Sequence, residues 1–153
     1  MLVLDSTNKS LELVLGGAVS SDQLPVVANY VEYQKVPAVS LAPPAIQYQY
    51  NTGENDTLSN DTTEVTVVGA PDESKRVRKI ENISVFNADS ATVTVTVRYN
   101  NNSTIRKIVT ASLAPGYTLH YCDGRGWYVT DTSGSERIIS VTTSQDLAAT
   151  LSG

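Results

Sequence analysis

The chain has 153 residues, enough for one ordinary domain with a single core, and a formal net charge of −5. That acidic balance argues against nucleic-acid binding, because neutralising phosphates takes a cationic surface. One cysteine, Cys122, and one histidine, His120, exclude an intrachain disulfide framework, a cysteine-based zinc cluster and a multi-histidine metal site.

Leu2-Val3-Leu4 opens the chain as a short apolar segment ending in the polar turn cluster Asp5-Ser6-Thr7-Asn8. Its start lacks the basic region and long apolar core of a signal peptide, so synthesis and use without secretion machinery is expected. No apolar run approaches bilayer-spanning length, and no membrane partner is expected. Leu11-Glu12-Leu13-Val14-Leu15 reads as a strand stopped by Gly16-Gly17. Its four apolar residues in five suggest burial on both faces, or one face on the core and one on a partner. A further strand is predicted from Gln23 to Tyr33, with Pro25 at its beginning or on an edge, since proline lacks a backbone donor. Tyr30 and Tyr33 add amphipathic aromatic surface of the kind found at contacts.

Gln47-Tyr48-Gln49-Tyr50 alternates like a strand, and Asn51 to Asp61 reads as a polar loop. The carboxylates of that loop lack the ligand spacing and central glycine of an EF-hand. Glu64 to Val68 is a strand ending in the turn Gly69-Ala70-Pro71-Asp72. Lys75, Arg76, Arg78 and Lys79 concentrate positive charge, read either as a solvated strand edge or as a contact for an acidic partner.

The strongest signal is Lys79 to Tyr99. Two alternating runs, Ile80 to Phe86 and Ala91 to Tyr99, flank Asn87-Ala88-Asp89-Ser90, and the pattern predicts a hairpin. Val93, Val95 and Val97 are expected to face a core, with Thr92, Thr94 and Thr96 facing outward. A turn at Asn100 to Ser103 leads to a strand over Thr104 to Ser112, with a bulge expected between Arg106 and Lys107. Leu113-Ala114-Pro115-Gly116 is a turn. Tyr117 to Cys122 and Trp127 to Thr130, joined by Asp123 to Gly126, form another hairpin. Ile138 to Val141 is a last apolar run, and Ser144 is placed to cap a short helix.

Short strands at close intervals with almost no helical periodicity indicate an all-β fold, a single β-sandwich or jelly-roll domain. The reading divides it into an extended N-terminal arm with the first strand (residues 1–22), a sandwich (23–136) and a short C-terminal tail (137–153). Catalytic chemistry is not indicated. His120 and Cys122 share a strand face, but neither sits in a nucleophile motif, and Gly124-Arg125-Gly126 lacks the rest of a dinucleotide fingerprint. The sequence therefore predicts no enzyme, no cofactor and no metal.

Leu4-Asp5-Ser6-Thr7, Lys9-Ser10-Leu11-Glu12, Gly17-Ala18-Val19 and Gln23-Leu24, leading to Tyr30-Val31, form one block of resemblance. Val77 to Asn87, the valine/threonine run, and Leu113 to Gly116 through Trp127-Tyr128-Val129 form another. In both, the chain resembles small virion structural proteins of tailed bacteriophages. The resemblance implies a capsid cement or decoration protein, made in the host cytoplasm and carried on the capsid surface. Its implied partners are the major capsid protein and a second copy of itself, most simply as a dimer. On this reading Leu2, Val3, Leu4, Leu11, Leu13, Leu15, Tyr30 and Tyr33 are the expected partner contacts. The alternative is a tail-fibre, neck or receptor-binding module, with Tyr48, Tyr50, Tyr117, Tyr121, Trp127 and Tyr128 stacking on a host glycan.

Overall fold

Alternating β-branched residues place one side of each strand on a shared core, and two such surfaces face each other in this chain. The computed structural model describes residues 1–34, 49–137 and 142–143. Its strands in chain order are β1 (Leu2–Leu4), β2 (Lys9–Leu15), β3 (Pro25–Gln34), β4 (Gln49–Leu58), β5 (Val65–Val68) and β6 (Arg76–Phe86). They continue with β7 (Val93–Asn101), β8 (Thr104–Leu113), β9 (Thr118–Cys122), β10 (Gly126–Thr130), β11 (Glu136–Arg137) and β12 (Thr142–Thr143). One sheet runs β11-β10-β9-β6-β3-β4, with β1 also paired to β6; the other runs β12-β8-β7-β2-β5. All pairings are antiparallel, and the architecture is a β-sandwich. Leu11, Leu13, Val95, Val97, Val109 and Leu113 from one sheet meet Val26, Ala28, Ile83, Val85, Leu119 and Val129 from the other in the core.

Several expectations change. Residues 80–99 do not form a hairpin, because β6 and β7 belong to different sheets. Asn87 to Ser90 is the crossing between them, and both alternating runs point inward from opposite sides. Asn51 to Leu58 is not a loop but most of β4, paired along the length of β3. Its polar side chains suit an edge strand, and Asn55 Nδ2 caps the neighbouring β5 edge through Thr66 O (3.1 Å) and Val67 O (2.7 Å). Nor do residues 1–22 extend from the body as an arm. Leu2, Val3 and Leu4 pair with Ile80, Lys79 and Arg78 of β6. Leu2 N donates to Tyr121 Oη (2.9 Å) and Val3 N to Tyr99 Oη (3.2 Å). An apolar triplet beside an open ladder edge is more stable paired than solvated. In the tail, Glu136–Arg137 joins β10 and Thr142–Thr143 joins β8, so these parts also lie in the sheets. Ile138 to Val141, the cap at Ser144, Gln47 and Tyr48 lie outside the described residues.

The β7–β8 hairpin is as expected, closed by Asn102 and Ser103 at φ 50° and 69°, the left-handed pair of a tight hairpin turn. The bulge falls at Ile108, one position after the expected one, where pairing skips from Val109 to Lys107.

Four crossings between the sheets gather at one end: residues 16–24, 59–64, 87–92 and 114–117. Asn87 ties two of them. Its backbone exchanges hydrogen bonds with Tyr117 O (2.8 Å) and Gly116 N (2.9 Å). Its side chain donates to Ala91 O (2.9 Å) and Leu113 O (2.8 Å), and accepts from Asp89 N (3.0 Å). Asp89 then holds a third crossing, accepting from Ser20 N (2.9 Å), Ser21 N (2.7 Å) and Ser21 Oγ (2.9 Å). Asp61 draws in the fourth by accepting from Val19 N (3.0 Å) and Gln23 Nε2 (2.8 Å). Among the described residues every buried side-chain nitrogen and oxygen has a partner.

These carboxylates set the acid limit of the fold. The Ser20 amide, with Ser21 and Ser90, lowers Asp89 from the ordinary 3.8 to about 2. Ser133, with Ser135 and Arg137, does the same for Asp131. A carboxyl depressed in the folded state contributes stability that is whole above its unfolded value and lost as pH falls through its folded value. These two carboxylates are therefore expected to add a decline between about pH 4 and pH 2, below the loss that the depressed His120 begins as pH falls through about 6.5. Urea titrations at stepped pH, read by Trp127 fluorescence, check this, and Asp89→Asn should flatten the decline. A decline between about pH 4 and pH 2 that Asp89→Asn leaves unchanged would contradict the assignment.

Candidate docking surfaces

The expected contact residues divide between inside and outside. Leu2, Leu4, Leu11, Leu13 and Leu15 are buried in the core, so they are corrected from partner contacts to packing residues. Tyr30 also points inward. Its ring packs where a Cβ on Gly53 would stand, 2.1 Å from Tyr30 Cζ, and the Arg78 guanidinium lies 4.9 Å from its centroid. Val3, between the buried Leu2 and Leu4, points outward from the seven-stranded sheet, and Tyr33, next to the buried Glu32, is only half-buried. The aromatic platform is divided as well. Tyr121 is buried against Trp127, with ring centroids 5.1 Å apart, and Tyr117 packs on the core. Tyr128 alone of these four faces outward; Tyr48 and the side chain of Tyr50 lie outside the described residues.

The outward face of the seven-stranded sheet is built in rows. Register aligns Tyr128, His120, Ser84, Val27 and Asp56 across β10, β9, β6, β3 and β4. The next row is Gly126, Cys122, Asn82, Asn29 and Glu54. On the other side Thr130, Thr118 and Phe86 align. His120 and Cys122 therefore share a face, as their spacing predicts. The imidazole stacks on Tyr128 at 4.9 Å and 19°, and its Nε2 lies 3.0 Å from Thr130 Oγ1. Burial, and then the Arg125 guanidinium, pull His120 below its ordinary value, so it is uncharged at neutral pH. Arg125 completes the stack, 3.8 Å over the Tyr128 centroid, and forms an ion pair with Glu136. Phe86 (42% exposed) and Leu58 (56%) stand at the crossing end of the same sheet. Sequence reading missed both, although Leu58 is conspicuous as the one apolar residue between Asn51 and Asp61.

Arg76, Arg78 and Lys79 of the basic stretch are used inside the molecule. Glu32, itself buried, takes Arg76 at 3.2 Å and Arg78 at 2.7 Å. Glu73 and Asp72 add 3.0 Å and 3.6 Å contacts to the same two arginines. Lys79 bridges Asp123 (2.6 Å) and Glu81 (3.1 Å), and chiefly the Asp123 bond raises its affinity for protons. On the second sheet Glu12 holds Arg98 (3.1 Å) and Asn100 (2.7 Å). Among the described residues, the cations that these ion pairs leave over are Lys75, Arg106 and Lys107. Arg106 and Lys107 lie on the exposed stretch Thr104 to Lys107 of β8, beside Ile105, which is 41% exposed. Four consecutive exposed residues on a strand mean that both faces have left the core there. Alternation alone cannot reveal this, because it assigns one face inward.

Comparison with protein-family models, with curated proteins and with solved structures gives no match.

Proposed function

We propose that this protein is a non-enzymatic virion structural protein that decorates the assembled head of a tailed bacteriophage, docking on the major capsid protein. The resemblance of the N-terminal and core segments to such proteins supports this reading. The observation that carries the docking is the β7–β8 hairpin. In a chain of net charge −5, Arg106 and Lys107 stand side by side, exposed and left over by the internal ion pairs. Held within β8 by pairing with Tyr99 and Arg98 of β7, they are positioned in advance for an acidic surface, which lowers the ordering cost of binding. Ile105 between Thr104 and Arg106 adds an apolar contact at the same place. Such a charged rim speeds encounter and makes attachment salt-dependent.

The test mixes full-length protein with shells assembled from major capsid protein and measures bound copies against protein concentration. Arg106→Glu with Lys107→Glu is expected to weaken attachment by about tenfold or more at low salt, leaving the fold intact. Unchanged occupancy by the double variant would remove the hairpin from the mechanism.

A further inference from the structure

We propose that the outward face of the seven-stranded sheet is a twofold interface between two copies of this chain. It names the oligomer surface for the decoration reading, on which its biological use rests. Three observations converge on a second copy as the occupant.

The first is composition. The rows across this face carry Phe86, Val27, His120 and Tyr128 among small neutral residues, with Leu58 at the margin. The second is the placement of charge. Glu54 and Asp56 lie on β4 at one margin, and Arg125, which also pairs with Glu136, covers Tyr128 of β10 at the other. Between them Lys79 is closed by Asp123 and Glu81. In sheet order, β6 stands two strands from β10 and two strands from β4. A twofold axis along β6 exchanges these margins and keeps every row at its own height. Asp56 of one copy then stands over Tyr128 and Arg125 of the other, and the converse contact forms at the far margin. An isologous interface requires this self-complementarity. Elsewhere a net charge of −5 makes copies repel.

The third is size. The long strands β3, β4 and β6 run about 30 Å and the five-residue β9 and β10 about 17 Å, which at about 4.8 Å per strand gives a face of about 600 Å². A pair buries on the order of 1,200 Å², the lower limit for a specific stable interface.

Sedimentation equilibrium of the free full-length protein tests the proposal, with circular dichroism checking the fold of each variant. The parent is expected to be a dimer. Phe86→Glu, at an exposed position, should raise its Kd by about tenfold or more, while Ile105→Glu on the other sheet leaves it unchanged. Asp56→Arg and Arg125→Glu should each weaken the dimer, and the double exchange should restore it to within about threefold of the parent. A monomer at about 100 μM, or a dimer insensitive to Phe86→Glu, overturns the interface. An exchange that fails to restore association overturns the twofold pairing of its margins. Because shells are absent, a dimer that cannot decorate them leaves this inference standing, whereas a monomer that decorates them overturns it alone.

Discussion

Leu4→Asp is expected to cost at least about 4 kcal/mol and to leave little folded protein at physiological temperature. Leu4 is fully buried, pairs with Arg78 of β6, and belongs to the cluster that joins the two sheets. An aspartate there is either a charge without water or a protonated acid without a partner. The adjacent Val3→Asp supplies the contrast. Val3 points outward beside Lys79, and its change should alter stability by no more than about 1 kcal/mol. Urea denaturation of both variants, followed by circular dichroism, separates a strand from an arm. Equal tolerance of the two substitutions would return residues 2–4 to the solvent.

Asn87→Leu has the next largest expected effect. The substitution keeps the side-chain bulk but removes the partners of Ala91 O, Leu113 O and Asp89 N. Each backbone group left unpaired costs about 1–3 kcal/mol, the part-buried Ala91 O least, giving a loss of roughly 3–6 kcal/mol. Ordinary surface asparagines cost far less, so the magnitude itself reports the clamp. A loss under about 1 kcal/mol would mean that the crossings hold together without it.

Much of the fold was legible from alternation. Val93, Val95 and Val97 face the core, Pro25 begins β3, and Asn102-Ser103 closes the hairpin after β7, all as the residue pattern implies. Alternation does not say which sheet a strand joins. The run from Ile80 to Tyr99 looks the same whether Asn87 to Ser90 folds the chain onto its neighbour or carries it across the core. Only the long-range bonds from Asn87 to Leu113 and Tyr117, and from Asp89 to Ser20 and Ser21, decide for the crossing. β4 was hidden for a different reason: its residues have weak strand preference, and pairing with β3 makes the strand. Arg76 and Arg78 looked like surface charge because Glu32, their partner, is more than forty positions away in the chain. The docking hairpin and the outward rows depend on such tertiary placement throughout. Their side chains were present in the sequence reading, but the face each one occupies was not.

Copy number per virion, measured by quantitative mass spectrometry against the major capsid protein, tests the decoration reading most directly. A protein that covers the head repeats with its symmetry, so copies on the order of hundreds are predicted. A count of about a dozen or fewer would place the protein at a tail, neck or fibre and contradict the account.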